Sequence, residues 1–94
     1  MANWTFLTNH GAVLCLVAEH QKITAREIAG ILDITERSVL RIIADLETEG
    51  YLERFREGRT NWYRVYHGQP LRRSERQHVA VGELLKALGA VPRD

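Results

Sequence analysis

The sequence has a single cysteine, Cys15, among its 94 residues, so no internal disulfide framework is possible. Its four histidines do not have the spacing of a metal site, and we expect no bound metal. The longest hydrophobic run, residues 11–18, is far shorter than the ~20 residues that span a bilayer. The first residues lack the basic start of a signal peptide. These absences favour a cytoplasmic protein that makes no contact with membranes.

The sequence also has little that suggests catalysis. No glycine-rich phosphate loop follows a strand pattern, and no nucleophile stands beside a candidate base. A domain of this size has little room for a deep substrate cleft once its core is packed. We therefore expect no catalytic residues, no enzyme activity and no cofactor. Nothing in the sequence identifies a small-molecule effector.

The charge of the chain is divided unevenly along its length. Residues 1–50 carry four basic and seven acidic side chains, a net charge of −3, and residues 51–94 carry nine and five, a net charge of +4. Seven arginines lie within residues 54–76, where only two acidic side chains oppose them. Such a cluster is typical of a surface that binds phosphates, although an ordinary solvated surface gives the same pattern.

Hydrophobic spacing and capping residues predict two helices before residue 34. The first covers residues 7–19 and is apolar on more than one side, which is typical of a central helix. A short strand at residues 21–23 follows. Thr24 and Glu27 then form a capping box that starts the second helix at residue 25, and Asp33 ends it in a left-handed turn.

A third helix is predicted over residues 35–49, with Thr35 as its N-cap and Gly50 after its end. One apolar stripe must face the core: Val39, Ile42, Ile43 and Leu46. The first turns of the opposite face are the part of a helix that reaches base edges in a major groove. They carry five candidate DNA contacts, namely Thr35, Glu36, Arg37, Ser38 and Arg41.

These five side chains suit different parts of DNA. Arg37 or Arg41 has the geometry for a bidentate contact to guanine, whereas Thr35 and Ser38 suit phosphate or base oxygens. Glu36 suits the amino group of cytosine, but it equally suits a structural role, since a carboxylate stabilises the N-terminus of its own helix.

After residue 50 the pattern changes from helical to alternating. Residues 51–56 and 60–66 are rich in aromatic and β-branched side chains and surround Gly58, which predicts a β-hairpin. Arg56, Arg59 and Asn61 flank its tip, where they can contact the DNA backbone or enter a minor groove. The alternative is a solvated hairpin with ordinary surface charge.

A last helix is predicted from residue 71 or 74 to residue 88. Its apolar strip has helical spacing and consists of Val81, Leu84, Leu85 and Leu88. This strip can pack on its own chain or, together with the first helix, against a second copy. We expect a DNA-binding domain over residues 1–70 and a C-terminal dimerisation helix and tail over residues 71–94.

The stretch from residue 35 to residue 65 resembles the winged helix-turn-helix of bacterial and archaeal transcriptional regulators of the ArsR-like and MarR-like kind. Two segments carry the resemblance, Thr35-Glu36-Arg37-Ser38-Val39 running on to Glu49-Gly50-Tyr51-Leu52, and Arg54-Phe55-Arg56-Glu57-Gly58-Arg59 followed by Trp62-Tyr63-Arg64-Val65. It covers roughly residues 9–66. It implies an α+β winged helix: helix, short strand, two helices, and two strands joined by a wing, here with a C-terminal helix.

The function implied by the resemblance is that of a transcriptional regulator that binds double-stranded DNA sequence-specifically as a homodimer on a palindromic operator. The third helix would lie in the major groove, and the wing, residues 54–62, on the backbone or minor groove. Metal-sensing members carry cysteine pairs or ligand clusters that this chain lacks, so we expect no metal sensing of that type. The alternative is a winged-helix module for protein interaction or assembly, which the charge of −3 over residues 1–50 keeps open.

Overall fold

The computed structural model describes residues 3–92 and has the α+β winged-helix architecture. Three helices come first, then a two-stranded antiparallel hairpin, a short 3₁₀ turn and a last helix. The elements are α1 (Asn9–Glu19), α2 (Ala25–Leu32), α3 (Glu36–Thr48), β1 (Leu52–Glu57), β2 (Thr60–Val65), the 3₁₀ turn (Ser74–Arg76) and α4 (Val81–Ala87). No helix within residues 3–92 is both long and apolar enough to cross a membrane.

Helices α2 and α3 begin and end where their capping residues predict, whereas α1 begins at Asn9, two residues after the predicted start at residue 7. The Thr24 hydroxyl accepts from the Glu27 amide at 3.0 Å, and the Glu27 carboxylate accepts from the Thr24 amide at 3.0 Å. Asp33 ends α2 with φ 56° and ψ 47°, a left-handed conformation that Asp tolerates better than most residues. The Thr8 and Thr35 hydroxyls cap α1 and α3, where they accept from the amides of Gly11 and Ser38. The predicted capping box and the turn at residue 33 are therefore confirmed.

The core lies between α1, α2, α3 and the inner side of the hairpin. The predicted apolar stripe of α3 is buried, and Ile28 of α2 meets it from the neighbouring helix. Tyr51, Leu52 and Tyr63 close the core on the hairpin side. This packing fixes which side of α3 faces outward.

The hairpin loop is one residue shorter than the predicted strands, which left residues 57–59 between them, would make it. Glu57 pairs with Thr60, which leaves only Gly58 and Arg59 in the loop, and Gly58 has φ 64°. In this register Arg56 lies opposite Asn61. The predicted short strand at residues 21–23 does not form in the described chain. Only one backbone hydrogen bond, from the Tyr63 amide to the Gln21 carbonyl at 3.0 Å, joins that connector to the hairpin.

The last helix is much shorter than predicted. Residues 70–80 form a loop that is closed by a bridge between Pro70 and Ala80 and by a 2.7 Å hydrogen bond from the Val81 amide to the Gln69 carbonyl. Residues 72–78 are polar and offer no apolar stripe to bury, so only a 3₁₀ turn forms there. Helix α4 begins at Val81 and ends before Gly89, whose φ is 72°. The predicted start at residue 71 or 74 is therefore wrong.

The apolar strip of α4 is divided between the chain's own core and the surface. Val81 and Leu85 are buried in the same core as the three N-terminal helices. Leu84 is half-buried and Leu88 is exposed. Only Leu84 and Leu88 of the predicted dimerisation strip therefore remain available to a second copy. Of the predicted tail, Arg93 and Asp94 lie outside the described residues.

Candidate nucleic-acid interface

The first turn of α3 is ordered by hydrogen bonds between Thr35 and Ser38. The Thr35 hydroxyl accepts from the Ser38 amide at 3.0 Å and donates to the Ser38 hydroxyl oxygen at 2.9 Å. The proton of Thr35 is therefore used inside the helix, whereas the Ser38 hydroxyl keeps its own proton for an outside acceptor. The geometry makes Thr35 the residue that holds the helix start, and it leaves the Ser38 hydroxyl proton available to an outside acceptor.

Two arginines project from the exposed side of this helix end. Arg37 and Arg41 lie one turn apart, so they share a face, and both are exposed. Within residues 3–92 neither has an ion-pair partner. Glu36, also exposed, precedes them in the first turn. The positive end of the helix dipole lies at this same end and adds to the attraction for anions.

The carboxylates on the other half of α3 are paired with groups from neighbouring elements. His10 of α1 lies 2.8 Å from Asp45, between the ring Nε2 and a carboxylate oxygen. Arg54 of β1 lies 3.4 Å from Glu47, and Arg72 pairs with Glu49. Asp45, Glu47 and the C-cap residue Glu49 thus have partners at the C-terminal end of α3. Its N-terminal half presents Glu36 and the two arginines, which have no ion-pair partner among the described residues.

The hairpin tip carries two exposed arginines. The Arg56 Nε donates to the Gly58 carbonyl at 3.2 Å, which holds the guanidinium beside the turn. Arg59, in the two-residue loop, is exposed and has no ion-pair partner within residues 3–92. The pair between Arg54 and Glu47 links the inner face of this hairpin to α3. Arg56 lies on that same face, since it is two residues further along the strand.

The third residue predicted at the tip, Asn61, has an internal partner. Burial raises the pKa of the Tyr63 hydroxyl, while the charge of Arg54 and a hydrogen bond with the Asn61 side chain act in the opposite direction. Asn61 is also less exposed than Arg56 and Arg59. Its side chain therefore lies near the buried tyrosine, and the charged part of the tip consists of the two arginines.

Sequence reasoning missed an aromatic cluster on the outer face of the hairpin. Phe55 and Trp62 are directly opposite in the register and stack with ring centroids 4.3 Å apart. The Arg64 guanidinium lies 5.3 Å from the Phe55 centroid, within the range of a cation–π contact. Strand alternation places these residues on one face, but only the register shows that the two rings meet.

Cys15 is half-buried on α1, against the core. Burial raises the pKa of its thiol, and the nearby charge of Glu19 raises it further. The thiol is therefore protonated at neutral pH and is a poor nucleophile and metal ligand. Within residues 3–92 no group of three His, Cys, Asp or Glu side chains is arranged to hold a metal ion.

Comparison with known proteins identifies relatives of the fold. The sequence model of a family described as winged helix-turn-helix DNA-binding matches residues 7–53, which is half of the chain. The chain is 43% identical over 44 residues to a riboflavin kinase of Thermococcus kodakarensis. That match spans 47% of this chain and only 21% of the kinase. A solved structure of a point mutant of ZitR from Lactococcus lactis superposes with a TM-score of 0.61 at 16% identity, over 95% of this chain and 54% of that chain.

Proposed function

The chain belongs to the winged helix-turn-helix DNA-binding family, and from this premise we propose that it is a sequence-specific transcriptional regulator of the ArsR-like or MarR-like kind. The N-terminal half of α3 enters the major groove of double-stranded DNA, where Arg37 and Arg41 read base edges. The wing lies on the backbone or in the minor groove through Arg56 and Arg59. This is a binding function without catalysis.

The observation that carries this proposal is the polarity of α3. Its apolar stripe is buried, Glu47 and Glu49 at its C-terminal end are ion-paired, and Asp45 is hydrogen-bonded to His10. The two arginines at its N-terminal end are exposed and have no ion-pair partner within residues 3–92. An unpaired guanidinium binds a phosphate or a guanine edge without first breaking an internal ion pair. In this proposal Ser38 supplies a further donor to the DNA backbone, and Glu36, exposed in the first turn, accepts from cytosine. Thr35 contributes by fixing the helix start.

We further propose that the regulator works in the cytoplasm as a homodimer on a palindromic operator. One α3 covers only a short half-site, and two-fold copies about one helical turn apart are the usual way to lengthen it. Leu84 and Leu88 are the members of the predicted dimerisation strip that a second copy can reach.

The experiment that tests the DNA proposal is fluorescence anisotropy against a random duplex pool, titrated with salt. Affinity should fall by about 0.9 log units per log unit of salt for each phosphate contacted. After operator selection, Arg37→Ala and Arg41→Ala should each cost about 1–3 kcal/mol on the selected site. Lys86→Ala is the matched control, since it removes an exposed positive charge from α4. Equal affinities for all four proteins would refute the assignment of the reading face.

A winged-helix interaction module predicts a different result in the same titration. It binds no duplex even at low salt, and loss of Arg37 changes capture of a protein partner instead. The charge of −3 over residues 1–50, which favoured this alternative, is partly compensated in the fold because Arg54 and Arg72 pair with Glu47 and Glu49. The riboflavin kinase match covers about a fifth of that protein, so no kinase activity is proposed for this chain.

A further inference from the structure

Two large aromatic side chains stand out from the surface just before α1. Phe6 is 93% exposed and Trp4 is 67% exposed, and their rings meet edge to face with centroids 5.1 Å apart. The Thr5 hydroxyl donates to the Leu7 carbonyl and so orders the backbone between them and α1. We call residues 4–6 the aromatic arm. Exposed aromatic surface of this size on a small domain is typical of an interaction site.

A groove of about 900 Å³ opens beside this arm. It lies between the start of α1, the C-terminal half of α3, residues 71–73 and α4, and Phe6 lines its rim. Its apolar surface is formed by Leu7, Leu46, Tyr51, Leu71 and Leu84. The aromatic arm and the apolar groove therefore lie side by side on one face of the molecule.

We propose that the aromatic arm of each copy fills the groove of a second copy, so that the homodimer is held by a reciprocal exchange of Trp4 and Phe6. This inference rests on the proposed dimeric regulator and specifies how its two chains join. A two-fold interface needs one patch that is complementary to itself, and a patch with an exposed aromatic pair beside an apolar groove meets that condition. Leu84 then contacts the partner as a groove residue.

The charges around the groove favour an apolar occupant. Arg72 pairs with Glu49, Arg73 with Glu75 at 3.1 Å, and His10 with Asp45. Since each of these rim groups already has an ion-pair or hydrogen-bond partner, covering the groove with aromatic rings buries no charged group without a polar partner. The same pairing leaves little net charge to attract nucleic acid or a small anion.

The area of the arm is sufficient for a stable dimer. A Trp or Phe side chain buries about 150–250 Å² when it is fully covered. Because Trp4 is 67% exposed and Phe6 is 93% exposed, two arms and an equal area of groove reach roughly 1,000–1,600 Å² in total, which overlaps the range of specific protein interfaces.

Sedimentation velocity of the full chain tests the proposal. The unaltered chain should be a dimer, and the double variant Trp4→Ala/Phe6→Ala should dissociate with a dimer Kd raised by about tenfold or more. Ile31→Ala is the control, because it removes another exposed apolar side chain, 58% exposed and on α2, away from the groove. A monomeric unaltered chain, or a double variant as dimeric as the control, overturns the proposal.

Crosslinking tests the same contact directly, and Trp4 is kept so that half of the aromatic arm stays in place. In a Cys15→Ser background, chains with Phe6→Cys are mixed with chains with Leu84→Cys and oxidised mildly. The mixed disulfide should form well above the yield with an Ile31→Cys partner, and equal yields would overturn the arm-in-groove arrangement. Salt-dependent DNA binding is measured in parallel, because a monomer that still binds duplex overturns only the arm, whereas a crosslinked dimer that binds none overturns only the DNA function.

Discussion

Replacement of Gly82 by alanine tests whether α4 is fixed against the winged domain. A Cβ on Gly82 would lie 2.7 Å from the His67 Cβ and 2.9 Å from the His67 carbonyl oxygen. The Gly82 amide donates to that same oxygen at 2.9 Å, and the Val81 amide donates to the Gln69 carbonyl at 2.7 Å. The two backbones are thus held close together by two hydrogen bonds, and the new methyl group has no space between them.

The expected cost follows from two opposing effects. Overpacking of a fitted contact costs about 1–3 kcal/mol, and here one of the atoms that must move belongs to the backbone. Alanine gains up to about 1 kcal/mol in helix propensity over glycine, and the gain is smaller in the first turn. The net destabilisation should be about 1–2 kcal/mol. For a domain of this size it corresponds to a fall in Tm of roughly 4–16 °C.

The assay is thermal unfolding followed by circular dichroism, with Gly30→Ala as the matched control. Gly30 lies on the exposed side of α2, and apart from its chain neighbours and the backbone of its own helix no described atom comes within 4 Å of a Cβ placed there. The same substitution should therefore raise stability by about 0.5–1 kcal/mol at that position. Opposite signs at the two glycines are the expected result. A Gly82→Ala protein that is as stable as Gly30→Ala would refute the close packing of α4 on residues 67–70.

Three further predictions concern single side chains. The pKa of the Glu27 carboxyl lies below its usual value of about 4.5 because the Thr24 amide and hydroxyl donate to it. The ionised Glu27 carboxylate therefore stabilises the fold fully above that usual value, and this stabilisation is lost as the pH falls through the lower folded pKa. In the Glu27→Gln variant, Tm should therefore fall less between about pH 5 and pH 3 than it does in the unaltered chain. Cys15, whose thiol pKa is raised by burial, should react with iodoacetamide at pH 8 at least about tenfold more slowly in the folded protein than in urea, as followed by mass spectrometry. Tyr63→Phe removes the hydroxyl that contacts Asn61 and should cost about 1 kcal/mol in urea unfolding, and a stability equal to that of the unaltered chain would contradict that contact.

The helical part of the fold was predictable from the sequence because local chemistry determines it. Thr24 with Glu27, Thr35, and Asp33 act through hydrogen bonds or backbone conformations within four residues, and each is found in the predicted role. The buried stripe of α3 follows from helical spacing alone. The hairpin was also predictable, since Gly58 can adopt the positive φ that a two-residue turn needs.

The C-terminal segment was mispredicted because distant parts of the chain determine it. Hydrogen bonds between Leu71 and Val79 and between Gln69 and Val81 close the loop at residues 70–80. No local sequence pattern predicts these bonds. The burial of Val81 and Leu85 likewise depends on where that loop places α4. The groove beside Phe6 was unforeseen for the same reason, since four separate segments form it.

The charges of α3 show why the net charge of a sequence segment does not predict the charge of a particular surface in the fold. Residues 1–50 carry a net charge of −3, which taken alone argues against contact with phosphates. In the fold, however, the three carboxylates on the C-terminal half of α3 pair with His10, Arg54 and Arg72, two of which come from the basic second half of the chain. The pairing leaves Arg37 and Arg41 as exposed charges at the opposite end of the same helix. Since screening limits an exposed charge to about 8 Å at physiological salt, the charge that a ligand meets at this end of α3 is the local charge and not the average of the sequence.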